Sequence, residues 1–182
     1  VELPGRKEAA AFGADETPRA GLSLEKLAKL KPVFHKEGSV TAGNSCCQAD
    51  AAAALVVASR ERAEALGARP IAILRGYASA GVEPRHMGLG PVTAIPKALE
   101  RAGLALADMD LIEVNEAFAA QVLANGKALG WDWSRVNPHG GAIALGHPIG
   151  MSGARIALHL ALELRRRGGG VGAAALCGGG GQ

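Results

Sequence analysis

The stretch that decides the fold is Leu111-Ile-Glu-Val-Asn-Glu-Ala-Phe-Ala-Ala-Gln-Val-Leu-Ala-Asn-Gly-Lys-Ala-Leu-Gly130. Its first four residues are a short, mainly apolar run that predicts a strand, and residues 117–129 predict a helix that Gly130 ends. Asn115 and Glu116 occupy the junction between the two. A strand that leads directly into a helix is the repeating unit of α/β proteins, so this stretch predicts an α/β fold.

The same alternation continues on both sides of this stretch. Predicted strands cover 51–59, 70–80 and 171–177, and predicted helices cover 24–30, 60–66, 91–102 and 152–167. Ser23 is suited to cap the first helix, and glycines follow the later ones at positions 67, 103, 130 and 168. The order predicts a layered α/β sandwich around a central, mostly parallel sheet. Functional residues are then expected in loops beyond the strand ends.

Composition limits the class of protein. The 182 residues are 48% hydrophobic and only 3% aromatic, which predicts one ordinary globular domain with an aliphatic core. The net charge is +3, and the run Arg165–Arg167 lies at a predicted helix end, where cations are favoured, so it indicates a solvated helix end more than a nucleic-acid surface. An anionic small ligand stays open.

Three cysteines form neither a disulfide framework nor a metal-binding spacing. Together with the lack of a signal peptide or a long apolar run, they predict a cytoplasmic protein with no metal, no nucleic acid and no membrane partner. The chain begins at Val1 rather than Met and approaches its end through glycines, so both ends are expected to be cut or processed.

Asn115 is the first candidate for chemistry. Asparagine is a good helix cap, so one interpretation is simple N-capping of the following helix. The other makes its side-chain amide a hydrogen-bond donor that faces a ligand. The residue alone favours the cap.

The second candidate is His147, in the loop Val136-Asn-Pro-His-Gly-Gly-Ala-Ile-Ala-Leu-Gly-His-Pro-Ile-Gly150. A histidine can take and return a proton near neutral pH, and neighbouring glycines allow a substrate to approach the backbone closely. The alternative is a buried histidine with satisfied ring nitrogens. The helix that begins nearby adds unpaired N–H donors, which favour an anion. His139, in the same loop, is interpreted as structural or surface-exposed.

The third candidate is Cys177, which four glycines follow. A cysteine at the end of a strand is usually a small hydrophobic residue. The glycines are entropically costly and make sense where backbone N–H groups must face an oxyanion. A phosphate-binding loop is the competing interpretation, but no G-x-G-x-x-G or Walker pattern is complete.

Asparagine, histidine and cysteine from three strand-end loops can converge on one site. A thiol can act as nucleophile or proton carrier, a histidine as base, and amide N–H groups can hold an enolate or oxyanion. This set indicates acyl or carbanion chemistry on a thioester.

These residues lie in motifs that resemble the thiolases, which are the acetyl-CoA acetyltransferases and 3-ketoacyl-CoA thiolases. The resemblance covers nearly the whole chain in order. The motifs are NEAFA at 115–119, NPHGGAIALGHPIGMSGAR at 137–155 and CGGGGQ at 177–182, with VTAGN at 40–44, GVEP at 81–84, MGLGP at 87–91 and KALERAG at 97–103. The family has two similar halves of βαβαβαββ order, and this chain resembles the C-terminal half. The resemblance implies residues 1–38 as a linker or partial preceding segment and 39–182 as the C-terminal domain, truncated before its final strand.

The resemblance also implies roles. His147 corresponds to the histidine that activates the nucleophile and helps to form an oxyanion hole, Cys177 to the acid/base cysteine, and Asn115 to the asparagine that holds the thioester oxygen site through a water. Phe118 corresponds to a residue of the acyl pocket, and Gly179 lies in the second oxyanion loop. The coenzyme A tunnel corresponds to positions Phe34, Ala42, Cys46 and Met87.

The family's reaction is thiolytic cleavage of 3-ketoacyl-CoA, or the reverse Claisen condensation of acetyl-CoA, as in fatty acid metabolism. The resemblance implies acyl-CoA as substrate, no further cofactor and a homo-oligomer. The nucleophilic cysteine belongs to the family's N-terminal half, so this chain is expected to need that half, in the same or another chain. Cys46 replaces a common Ser, Ala51 a common Gly, and Met151 a common Ala, which is expected to narrow the acyl pocket.

Two alternatives stay open from sequence. One is a truncated, non-catalytic module that binds coenzyme A or another subunit, motivated by the missing nucleophile, the missing strand and Cys46. The other is a plain α/β nucleotide binder whose glycine-rich loops hold phosphates, which the incomplete phosphate-loop patterns disfavour.

Overall fold

The computed structural model of the protein describes residues 13–180. The described helices are α1 Leu24–Ala28, α2 Arg60–Ala65, α3 Gly90–Ala102, α4 Ala119–Leu129, α5 Ala142–Leu145 and α6 Ile149–Arg166. The strands are β1 Leu111–Val114 and β2 Gly172–Ala175, and short 3-10 turns lie at Pro84–Leu89, Leu106–Asp108 and Trp133–Arg135. None of the helices in this part of the chain is long and apolar enough to cross a bilayer.

The centre of the fold is a parallel pair of strands. β1 pairs with β2 in the register Leu111↔Gly172 to Val114↔Ala175. A parallel bridge between Ile112 and Val136 lies outside the named strands. All four residues of β1 are buried, as expected for a parallel strand covered on both faces.

The core lies around β1. Its buried residues are aliphatic or aromatic side chains from the strands, α3, α4 and the connecting loops: Ile95, Leu99, Met109, Ile112, Val114, Val122, Trp131, Val136 and Ala175. Because aromatic residues are scarce, aliphatic side chains fill most of this core. The fold is therefore the predicted α/β arrangement with a parallel sheet.

Three predicted helix boundaries are confirmed, whereas α1 ends two residues earlier and α6 begins three residues earlier than predicted. The Ser23 side chain accepts a hydrogen bond from the Lys26 N–H and caps α1. Gly103 and Gly130 follow α3 and α4 with φ of 67° and 64°, a left-handed conformation that glycine adopts without cost. Sequence alone placed these boundaries because capping is local chemistry.

The predicted strands at 51–59 and 70–80 are wrong. Within residues 13–180, neither 51–58 nor 70–80 makes a backbone–backbone hydrogen bond, and both lack strand structure. Their apolar side chains are exposed: Val56 is 99% and Ile73 64% accessible. A strand exists only where another strand pairs with it, and these segments have no such partner in the described structure. The predicted division of the chain at residue 38 stays a prediction.

Candidate functional site

Asn115 is the first residue after β1. Its side chain is fully buried, and its backbone N–H donates to the Ala175 carbonyl at 2.9 Å. The side-chain Nδ2 lies 3.3 Å from Nε2 of His147. The N-cap of α4 is Phe118, so the capping interpretation of Asn115 is wrong. The amide instead faces the histidine that the sequence singled out.

His147 lies between α5 and α6 in a loop that glycine makes possible. Gly146 has φ of 92°, and a Cβ there would lie 2.6 Å from the Cβ of Ala49. Both the backbone conformation and the lack of space therefore require glycine at this position. The His147 N–H donates to the Cys47 carbonyl at 2.9 Å. These contacts fix the backbone from which the imidazole projects toward Asn115.

The electrostatics of His147 favour the neutral imidazole. Burial lowers the pKa of this ring below its ordinary value, and the positive charge of Arg155 lowers it further. One ring nitrogen therefore carries a lone pair at neutral pH. That is the state a general base requires.

Cys177 lies two residues beyond the end of β2. Because β1 and β2 are parallel, their carboxyl ends meet at the same edge, which also carries Asn115. The thiol is buried; that burial raises its pKa, and nearby Cys46 raises it further. Cys177 is consequently a protonated thiol at neutral pH, suited to donating a proton. Gly179, in the loop after it, is exposed.

Several of the predicted substrate-binding residues gather beside this edge. Phe34 and Phe118 meet edge to face with ring centroids 5.9 Å apart. The Cys46 N–H donates to the Ala117 carbonyl at 3.0 Å, and Ser45 forms an antiparallel bridge with Phe118. The segment 45–47 thus joins the loop of Asn115 to the loop of His147.

Two other predicted positions lie further out. Ala42 is exposed in the turn that Asn44 closes by accepting from the Thr41 N–H at 2.8 Å. Met87 is half-buried in the 3-10 turn that packs against α4. Their roles in substrate binding stay predictions.

Two of the three residues that depart from the family pattern, Ala51 and Met151, line one surface recess. It has a volume of about 380 Å³ and is lined by residues 49–53 and 148–151. Ala51 and Met151 lie on its two sides, next to the His147 loop. These two replacements therefore add side-chain volume at the same recess, whereas Cys46 lies outside it.

The sequence did not predict Glu116 and Asn137, which hold the loops together. The Glu116 carboxylate accepts from Asn137 Nδ2 at 3.1 Å and from the Ile143 N–H at 3.1 Å. A Cβ on Gly141 would lie 2.5 Å from Glu116 Cδ, so only glycine at this position leaves room for the carboxylate. The available signal was Glu116, a charged residue two positions after the end of a buried strand.

His139 lies apart from this set. Its Nε2 is 3.2 Å from Oε1 of the buried Glu163, and its ring packs edge to face on His159 at 5.5 Å. Hydrogen bonds from Arg166 and Arg167 hold the pKa of Glu163 far below its ordinary range. His139 is thus part of a charged cluster around the end of α6, as its structural interpretation predicted. Within residues 13–180 no group of three or more His, Cys, Asp or Glu side chains is placed to hold a metal ion.

The fold and this edge define an α/β domain with a histidine–asparagine pair and a buried thiol beyond the ends of parallel strands. The family model described as the thiolase C-terminal domain matches residues 68–182, and the thiolase N-terminal domain matches residues 1–61. The chain belongs to the thiolase family.

Similar proteins align with nearly the whole chain. An acetyl-CoA acetyltransferase of Pseudomonas aeruginosa is 56% identical over 183 aligned positions, covering 100% of this chain and 47% of the relative. The crystal structure of the Bacillus anthracis acetyl-CoA acetyltransferase has 50% identity and a TM-score of 0.92, covering 99% of this chain and 46% of its own. Human mitochondrial 3-ketoacyl-CoA thiolase in complex with CoA has 48% identity and a TM-score of 0.86, covering 96% and 44%. The chain spans about half the length of these relatives.

Proposed function

We propose that this chain supplies the C-terminal catalytic residues of a thiolase, which cleaves 3-ketoacyl-CoA with coenzyme A or condenses two acetyl-CoA molecules. The observation that carries the proposal is the 3.3 Å contact between Asn115 Nδ2 and His147 Nε2 at the edge where Cys177 follows β2. The nucleophilic cysteine comes from the family's N-terminal half, in the same or another chain. Acyl-CoA and coenzyme A are the reactants, no further cofactor takes part, and the assembled enzyme is a homo-oligomer.

His147 acts first as a base. Its unprotonated ring nitrogen takes the proton of the attacking thiol, and the resulting imidazolium then donates a hydrogen bond to the thioester oxygen. The lowered pKa of His147 keeps the ring neutral before the reaction. Asn115 is fully buried beside the ring. Its side-chain N–H groups position the imidazole and the site of the thioester oxygen.

Cys177 moves the second proton. In cleavage, the bond between the α- and β-carbons breaks, its electron pair stays on the acetyl α-carbon, and the Cys177 thiol donates the proton that this carbon takes up. In condensation, the thiolate removes that proton. The raised pKa of Cys177 supports the donor role because the thiol is protonated when cleavage begins. The loop of Gly179 offers backbone N–H groups to the developing enolate.

The substrate is proposed to enter along the aromatic pair Phe34 and Phe118, beside Cys46. An exposed phenylalanine such as Phe34, 74% accessible, is suited to apolar contact with a pantetheine arm. The relative solved in complex with CoA supports this class of ligand.

The test is a thiolysis assay with acetoacetyl-CoA and coenzyme A. The 182-residue chain is measured alone and together with a separately expressed thiolase N-terminal half. We expect turnover only in the combined sample. Robust turnover by the chain alone contradicts the need for an external nucleophile, whereas acyl-CoA binding without turnover in the combined sample favours the non-catalytic module.

His147→Ala tests the assigned base, with His139→Ala as a matched control from the same loop. Loss of a base and oxyanion donor should lower kcat by about 10²–10⁴-fold. The control histidine contacts Glu163 and should leave kcat nearly unchanged. A loss below about tenfold, roughly 1.4 kcal/mol, for His147→Ala contradicts its role.

A further inference from the structure

We propose that Ser152 is the positioning residue that fixes the tautomer of His147, holding the proton on Nδ1 so that Nε2 presents its lone pair toward Asn115. Its catalytic meaning rests on the proposed function, but the tautomer itself does not. The Ser152 Oγ lies 2.6 Å from His147 Nδ1 and 3.1 Å from the Pro148 carbonyl oxygen.

The assignment follows from counting protons. A serine hydroxyl has one hydrogen, and a carbonyl oxygen can only accept. If the hydroxyl donates to Pro148, its oxygen is left to accept, so His147 Nδ1 must carry the hydrogen between them. At the other side of the ring, Asn115 Nδ2 can only donate, so Nε2 must accept. Both ends of the ring give the same tautomer.

The opposite tautomer does not fit these contacts. With the proton on Nε2, that N–H would face the N–H groups of Asn115, and Ser152 would have to turn its single hydrogen away from Pro148. Two contacts would then lose their hydrogen bonds. The lost Asn115 contact is the costly one, because Asn115 is fully buried, whereas the Pro148 carbonyl still accepts from the backbone N–H groups of Met151 and Ser152.

Ser152 is also placed rigidly enough to act on the ring. It lies in the first turn of α6, where its own N–H donates to the Pro148 carbonyl at 3.0 Å. One carbonyl therefore receives both the backbone and the side chain of this serine. The serine therefore links the start of α6 to the imidazole through hydrogen bonds.

The direct test needs no variant. The intact protein that carries this chain is labelled with ¹⁵N-histidine, and the two nitrogens of His147 are observed by NMR above the pH at which the ring protonates. His147→Gln assigns the resonances. We expect a protonated Nδ1 and an unprotonated Nε2; a neutral ring protonated at Nε2 overturns the proposal.

The variants test the role of the hydroxyl. Ser152→Ala should give a mixture of the two neutral tautomers and lower kcat by about 10–100-fold with KM little changed, and Ser152→Thr should restore both. The exposed Ser79 provides the control Ser79→Ala. If Ser152→Ala keeps Nδ1–H as its single neutral tautomer, the serine does not fix the ring.

The two proposals fail in different ways. Absence of thiolysis in the wild-type protein with the expected tautomer refutes the proposed function and leaves the role of Ser152 in place. Normal thiolysis with the proton on Nε2 refutes the role of Ser152 and leaves the function in place.

Discussion

Replacing Asn137 by glycine tests whether a side chain completes the edge of the central sheet. The Asn137 side chain accepts from the Val114 N–H at 2.8 Å and donates to the Val114 carbonyl at 2.8 Å, as a neighbouring strand would. Val114 is 1% exposed, so water does not replace these contacts readily. The change removes both partners and also the bond to Glu116.

The expected loss of stability follows from the Val114 N–H and carbonyl groups, which would lose their hydrogen-bond partners. Each buried, unpaired donor or acceptor costs about 1–3 kcal/mol, so Asn137→Gly should lower the free energy of unfolding by about 2–6 kcal/mol. Asn137 has φ of 44°, which glycine adopts freely. Asn137→Ala should therefore cost about 1–2 kcal/mol more, because alanine is strained in this conformation.

Urea and thermal unfolding of the intact protein measure both variants. At roughly 2–4 °C per kcal/mol for a domain of this size, the glycine variant should melt about 4–24 °C lower. A loss below about 1 kcal/mol for Asn137→Gly would show that the side chain does not serve as a strand partner. Equal stabilities of the glycine and alanine variants would refute the conformational part of the argument.

Three further predictions concern the His147 loop. Gly146→Ala should lower kcat about tenfold or more, because the new Cβ would lie 2.6 Å from the Ala49 Cβ and the residue has φ of 92°. Adding Ala49→Gly removes the clash but not the backbone strain, so it should restore only part of the lost activity. Full activity of the Gly146→Ala variant would contradict this prediction. Met151→Ala should raise kcat/KM for longer acyl chains relative to acetoacetyl-CoA by about tenfold, measured with a substrate series, and an unchanged ratio would place Met151 outside the acyl path. Partial burial and the charge of Arg155 lower the pKa of His147, so the acid limb of the kcat/KM profile should have its midpoint below 6.5, and a midpoint above that value contradicts this role of the ring.

The sequence predicted those parts of the fold that local chemistry determines. Gly103 and Gly130 end their helices in the structure because a left-handed residue after a helix is a local requirement. The run at 51–59 was misassigned because apolar composition shows only that a segment prefers burial. It does not show whether a partner strand is present to pair with it.

The site shows the same division. The motifs identified Asn115 and His147, but a single asparagine before a helix favoured a cap, and only the three-dimensional contact with the imidazole decides the matter. Ser152 had no distinguishing pattern, since a serine near a helix start is ordinary. Its proposed importance comes from the position of its hydroxyl between His147 Nδ1 and the Pro148 carbonyl, which only the three-dimensional structure shows.

The parallel pairing of β1 with β2 has a consequence for biosynthesis. The Asp110 N–H donates to the Val171 carbonyl at 2.8 Å, across 61 residues of chain. During synthesis, β1 leaves the ribosome long before β2, so the backbone N–H and C=O groups that pair with β2 stay unpaired until β2 is made. An unpaired strand edge can pair with other chains, so the nascent protein is open to aggregation during this interval.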